Sequence, residues 1–236
     1  GWPFFSGTDG RTTLESKREA RRKFGIGKSG HVVSFMPSGL TAGDETSDMR
    51  RWQLDLISKG LPDGFELVIK PHPVESREQM MTFVKDCCPA ATVLDGSVES
   101  SELLAASDVF LNRGVSQVCF EALLKEVPVI FLVRSGSAAL PNLPEECVVE
   151  TADQLRGALN ATVAGHRTTQ LLTELRRFHL PFSPSEARAR TCHAVAEALE
   201  RGPRFANHPK QWFDLALFQA WRCSTQEALS TVEQVQ

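Results

Sequence analysis

Cysteine pairs at metal-binding spacing, apolar runs of membrane length and a marked excess of one charge are all missing from this chain, and each absence narrows what it does. The six cysteines (Cys87, Cys88, Cys119, Cys147, Cys192 and Cys223) form no CxxC pair and stand at no zinc-like spacing from a histidine. They read as reduced core residues. No apolar run approaches the roughly 18–20 residues of a membrane helix, and no charged start with an apolar centre opens the chain. The expected location is cytoplasmic, with a membrane-peripheral placement left open. A formal net charge of -3 and a pI near 6.1 provide no global attraction for nucleic acid, which is therefore not an expected partner. Internal repeats and low-complexity tracts are absent as well.

What is present is the composition of an ordinary globular protein: 236 residues, 42% hydrophobic and 23% charged. From residue 31 onward two periodicities alternate. "HVVSFM" reads as a buried strand, "ETSDMRRWQLDLISKGL" as a helix, "FELVIK" as a strand and "SREQMMTFVKDCC" as a helix. "ATVLD", "DVFLN" and "PVIFLV" are further strands, separated by the helices "SSELLAAS" and "SQVCFEALLKE". The first serine of "SSELLAAS" is a candidate cap. After "CVVE" at 147–150 the pattern is helical, over 152–164, 168–178, 185–201 and 209–232, with a hinge-like "LPFSP" at 180–184. Strands alternating with helices predict an α/β fold: a Rossmann-like parallel sheet of five to six strands, helices on both faces, and C-terminal helices beyond it. The expected divisions are 1–28 as an inter-domain linker and lead helix, 29–180 as the Rossmann-like domain and 181–236 as a helical extension. In the lead segment "LESKREARRKF" the Lys/Arg cluster is expected to be a solvated face. The chain opens with Gly1 and has no strand-like run in its first 30 residues, so it is expected to be a piece of something longer.

Ligands of parallel sheets bind beyond the carboxyl ends of the strands, and four loops should converge there. They are "PSGLTAG" (37–43), "KPHP" (70–73), "DGS" (95–97) and "NRGVSQ" (112–117). Ser38, Gly39, His72, Gly114, Ser116 and Gln117 then surround one cleft. The last loop runs into a helix, whose first N–H groups and dipole make an anion site. Glu121, about one and a half turns further on, is placed to reach paired hydroxyls such as those of a ribose. An N-cap role for Ser116 with a solvated Glu121 is the plain alternative. His72 is the sharpest signal: Pro71 and Pro73 fix the backbone on either side of it, and an imidazole beside a phosphate can offset charge growing on a leaving group. Against this stands a histidine merely satisfied within a turn.

"LVIKPHP", followed by "SDVFLNRGVSQVCFEALLKEVPVIFL", resembles the donor-binding half of GT-B-fold glycosyltransferases, notably the capsule and surface-polysaccharide transferases, glycerophosphotransferases and sialyltransferases that carry an HP motif. The resemblance covers residues 31 to about 150. It implies that His72 is the catalytic contact to the donor phosphate, that Ser116 and Gln117 bind phosphate or base, and that Glu121 binds the ribose. Lys70 and Asp95, in the same loops, and Arg134, after the fifth strand, complete the expected donor-binding set. The implied substrate is a nucleotide-sugar, with a glycan or lipid-linked acceptor and a further N-terminal domain in cis or a partner subunit, without which the chain is inactive. No DxD pair occurs in the cleft loops, so no metal and no separate cofactor are expected. The chain departs from these families in having "VSQ" for paired serines or threonines, Lys125-Glu126 for the usual glycine before "PVI", and Arg113 where retaining enzymes carry the first glutamate of their Glu-x7-Glu pattern. The alternatives are a non-hydrolysing nucleotide-sugar 2-epimerase, to which "PVIFLVR" ending in Arg134 is similar, an α/β-hydrolase with Ser116 as nucleophile on a strand–turn–helix elbow, and a non-catalytic nucleotide-binding module.

Overall fold

The computed structural model describes residues 12–27, 30–40, 46–114, 116–134 and 147–165, together with 189, 190 and 193. The chain divides into two compact units, Gly10–His179 on one hand and Gly1–Asp9 with Leu180–Gln236 on the other. In the second unit only 189, 190 and 193 are described, all helical. The expected hinge at 180–184 and the helices expected at 168–178 and 209–232 lie outside the described residues.

The first unit alternates as its sequence implies. α1 (Leu14–Phe24) leads into β1 (His31–Phe35), α2 (Ser47–Gly60), β2 (Phe65–Ile69), α3 (Arg77–Cys87), β3 (Thr92–Val93), α4 (Ser100–Ala106), β4 (Val109–Asn112), α5 (Gln117–Leu124), β5 (Val129–Leu132), β6 (Val148–Val149) and α6 (Ala152–Val163). All six strands are parallel, in the order β3-β2-β1-β4-β5-β6. Alternate side chains explain the two covered faces. Val33, Phe35, Leu67, Ile69, Val109, Leu111, Ile130 and Leu132 pack with Leu54 and Ile57 of α2, Met80 and Val84 of α3 and Leu155 and Leu159 of α6. Residues of the opposite parity, Val32, Val68, Phe110 and Phe131, are equally buried, as are Leu103, Leu104, Phe120 and Leu123 of α4 and α5. Among the described residues no helix is long and apolar enough to cross a membrane.

Local chemistry sets the helix ends. Ser76 and Gln79 form a reciprocal capping box at the start of α3, and Thr151 and Gln154 do the same for α6. Glu99, not the expected Ser100, is the N-cap of α4 and makes no side-chain cap. The lead helix α1 ends on Gly25 at φ 66. Its cationic cluster is not simply a solvated face: Lys17 and Arg21 both bond Asp108 at the foot of β4, and Lys23 bonds Glu102. Asp108 also accepts the Val32 N–H, and these donors hold its carboxyl below the usual range although burial pushes the other way.

The departure at Lys125-Glu126 also has a physical reading. Val127 N–H bonds Ala122 O at 2.8 Å and Glu126 N–H bonds Leu123 O at 3.3 Å, which is a Schellman motif closing α5. Its left-handed position is Glu126, at φ 59, among the described residues the one non-glycine with a positive φ. A Cβ there is strained by about 1–2 kcal/mol, part of which a glycine returns as lost chain entropy. Glu126→Gly is therefore expected to raise stability by roughly 0.5–1 kcal/mol, seen as a higher urea midpoint at unchanged slope. A lower midpoint would show that contacts of the Glu126 side chain outweigh its backbone strain.

Candidate functional site

The strand order reverses between β1 and β4, which pair directly (Phe35 opposite Leu111) although three helices and two strands separate them in sequence. Loops leaving their carboxyl ends must diverge, one turning back over β2 and the other over β5, and a crevice opens between them. Pro37 to Leu40 form one lip, and Arg113, Gly114 and Ser116 belong to the other. The loop after β2, which pairs with the outer side of β1, brings in Lys70 and His72.

His72 is held from several directions. Its carbonyl accepts the Glu75 N–H at 2.8 Å, closing a four-residue turn. Its ring Nδ1 accepts the Val74 N–H at 3.4 Å. That bond makes Nε2 the N–H of the neutral ring, a donor left for something else. Gly39 supports the ring: a Cβ at that position would lie 3.0 Å from His72 Nδ1 and 2.9 Å from Val74 Cγ2, so the contact admits only glycine without displacement. Ser38 enters through its backbone, its carbonyl accepting Arg50 Nη2 at 2.6 Å.

Lys70 is 4% exposed. Its ammonium donates to the carbonyl of the next residue, Pro71, at 3.4 Å, and no carboxylate among the described residues pairs with it. Burial pushes its pKa down, while Glu99, Glu121 and Asp95, in that order, pull it up. These influences set Glu99, Glu121 of α5 and Asp95, just after β3, around Lys70, just after β2. Asp95 itself is exposed and accepts Ser97 Oγ at 2.6 Å and Ser97 N–H at 2.9 Å, bonds that hold its carboxyl below the usual range. It is the anchor of its own turn. Gly96 beside it faces the Glu75 and His72 carbonyls, with a notional Cβ at 3.2 and 3.4 Å.

On the other lip Ser116 is the N-cap residue of α5 by backbone, yet its hydroxyl makes no cap. Asn112, the last residue of β4, takes it instead: Asn112 Nδ2 donates to Ser116 Oγ at 2.9 Å and to Cys119 Sγ at 3.1 Å, and Asn112 Oδ1 accepts the Arg113 N–H. Cys119 Sγ reaches back to the Gly114 carbonyl at 3.3 Å, and burial pushes its thiol pKa up. The loop is thus tied down from below, and the Ser116 hydroxyl is turned to Asn112 in place of capping the helix start. Gln117 Nε2 lies 3.4 Å from Glu121 Oε1 across one helical turn. Arg134 is exposed beyond β5, and among the described residues no hydrogen bond or ion pair joins it to the others.

Several residues that organise the crevice are absent from the sequence-based set. Arg50 on α2 and Glu75 after the HP turn are a buried ion pair at 3.1 Å, and Asn112 sets the Ser116 rotamer. Only Arg50 carried a visible signal, since it lies on the apolar stripe of its helix with Leu54 and Ile57. The hydrolase alternative loses ground: Ser116 is in relaxed extended conformation (φ -131, ψ 170), not a strained elbow, and its hydroxyl neighbours are Asn112 and Cys119.

No family model and no curated protein sequence matches the chain. Solved structures do. The wall teichoic acid polymerase TagF, as a histidine-to-asparagine variant, matches with a TM-score of 0.55 at 16% identity, over 85% of this chain and 52% of that one. A histidine-to-alanine variant of TagF matches with a TM-score of 0.51 at 13% identity, over 80% and 49%. The likeness shows the fold, a Rossmann-like half of the GT-B kind, as the HP-motif resemblance implied. The chain spans about half the length of the TagF chains it matches, 52% and 49%.

Proposed function

We propose that this chain is the donor-binding half of a GT-B transferase and that its crevice holds the phosphates of a nucleotide-activated sugar or sugar-phosphate-like group. The observation that carries the reading is the pairing of two donors on the loop after β2, a buried Lys70 with no carboxylate partner among the described residues and a His72 whose Nδ1 is occupied, at the carboxyl edge of the sheet where α5 also begins without a side-chain cap from Ser116. A phosphate between them would accept His72 Nε2–H, Lys70 Nζ and the first N–H groups of α5. As the bond to the anomeric carbon or phosphorus breaks, negative charge grows on the departing nucleotide, and the same donors offset it. Glu121, on the second turn of α5, is the candidate for ribose hydroxyls, and Gln117 for base or phosphate. TagF is a wall teichoic acid polymerase, which favours a growing surface polymer, glycan or lipid-linked, as acceptor. The acceptor pocket and the base that deprotonates it belong, on this reading, to the other half or to a partner subunit.

Calorimetric titration with UMP, CMP, UDP, CDP and their sugars tests this. Binding of at least one is expected, and His72→Ala should weaken it by about 1–3 kcal/mol, the range for a hydrogen bond to a charged group, while the domain stays folded. Silence towards every nucleotide at millimolar concentration would refute the reading. A variant that loses melting temperature but keeps its affinity would return His72 to a structural role.

A further inference from the structure

Arg50 and Glu75 lie 25 positions apart in sequence, and their bonds run to both loops that frame His72. Arg50 is fully buried and the Glu75 side chain is 6% exposed. Arg50 Nη1 and Nη2 donate to the two Glu75 oxygens at 3.1 and 3.3 Å, and Nη2 also donates to Ser38 O at 2.6 Å. Glu75 Oε1 accepts the Leu40 N–H at 2.7 Å, and the Glu75 backbone N–H holds the His72 carbonyl at 2.8 Å. One ion pair therefore grips the loop after β1 on both sides of Gly39, and the HP turn at its last residue. Between those grips lie the two contacts that orient the imidazole, the Gly39 face against the ring and the Val74 N–H on Nδ1.

A buried pair of this kind is weak evidence for stability, because apolar side chains of similar volume hold a core equally well. What apolar residues cannot supply is direction: a planar guanidinium and a carboxylate hold two backbone segments in one relative register. We propose that Arg50 and Glu75 are positioning residues for His72: they lock the loop after β1 onto the HP turn, so that Nδ1 stays an acceptor and Nε2 stays the proton-bearing donor presented to phosphate. The proposal rests on the reading of His72 as a phosphate donor, but its first consequence, a single ring tautomer, exists without any ligand.

The test uses the double replacement Arg50→Met/Glu75→Leu, which removes both charges and keeps the volume filled. Two-dimensional 1H–15N spectra of the histidine rings, at a pH well above the imidazole titration and with His72 assigned by loss of its peaks in His72→Ala, read the tautomer. The wild type is expected to show one proton-bearing Nε2 and one acceptor-type Nδ1. In the double variant the two 15N shifts should move towards each other as the tautomers mix, the melting temperature should hold or rise, and affinity for the tighter of UDP and CDP should fall roughly tenfold. A folded double variant whose His72 keeps the wild-type pattern overturns the proposal. If wild type binds neither nucleotide but the tautomers still mix in the variant, the phosphate reading fails and the positioning role stands. Should the double variant not fold, Glu75→Asp decides: it keeps a charge beside Arg50 but is one methylene short of spanning both Arg50 and Leu40 N–H. Partial tautomer mixing is expected, and a wild-type pattern refutes the role.

Discussion

Arg50→Ala is expected to lower the unfolding free energy by about 3–5 kcal/mol, the cost of leaving a buried charge without its partner. The Glu75 carboxylate would keep the Leu40 N–H and lose both guanidinium contacts, at a site where its side chain is 6% exposed. The guanidinium also donates from Nη1 to the Met80 sulfur at 3.7 Å and sits 5.9 Å from the Phe83 ring centroid. Truncation removes those contacts too. Against a typical stability of about 5–15 kcal/mol for a domain, such a loss brings the fold near its threshold. The contrast is Lys59, paired with Asp55 on the surface of the same helix at 66% and 54% exposure. Lys59→Ala should change stability by less than about 0.5 kcal/mol. Urea unfolding of the two variants checks both, and an Arg50→Ala loss below about 1 kcal/mol would mean that another group or water relieves Glu75.

Lys70→Met is expected to act in opposite directions on stability and on binding. Burial is the main influence on this ammonium and pushes its pKa down. The unfolded chain therefore binds a proton that the folded chain has released, over the pH window between the lowered value and the ordinary lysine value. Stability of the wild type should rise with pH through that window, and below it the full penalty of burying the charge stands. Methionine removes the penalty, so the variant should melt higher near neutral pH and lose that slope. Its affinity for UDP or CDP should fall by roughly 10–150-fold, since a hydrogen bond to a charged group is worth about 1.5–3 kcal/mol. A phosphate beside Lys70 raises its pKa again, so wild-type binding should weaken as pH climbs through the same window, with proton uptake visible in buffers of different ionisation enthalpy. A methionine variant that binds like wild type would remove Lys70 from the site.

The periodic part of this architecture is written plainly in the chain. "HVVSF", "FELVI", "VFLN" and "VIFL" are continuous apolar runs because parallel strands are covered on both faces, and each became a strand within a residue of its expected ends. The loops that follow them carry the candidate site for the same topological reason. Features made by distant pairs left no such trace. Lys17 and Arg21 look like any exposed helical charges until Asp108 is folded against them. Ser116 has the ordinary look of a cap, and only the register of Asn112 at the strand end diverts it. Glu75 follows a turn and carries no periodic signal at all. Arg134 and Asp95 follow strand ends like the other candidates, yet the first stands apart among the described residues and the second chiefly holds its own turn.

The reversal of strand order has a kinetic side. β1 and β2 join across one helix, as do β4 and β5, so each half of the sheet can form from neighbouring chain. The seam between the halves unites Ser34 with Val109, 75 positions apart, and closing a loop of that length is entropically slower than either local pairing. His72 and Lys70 ride on the first half, Ser116 and Glu121 on the second. The crevice consequently exists only once that seam has closed. On the proposed reading, a nucleotide bound across the seam would slow the separation of the halves more than it speeds their formation.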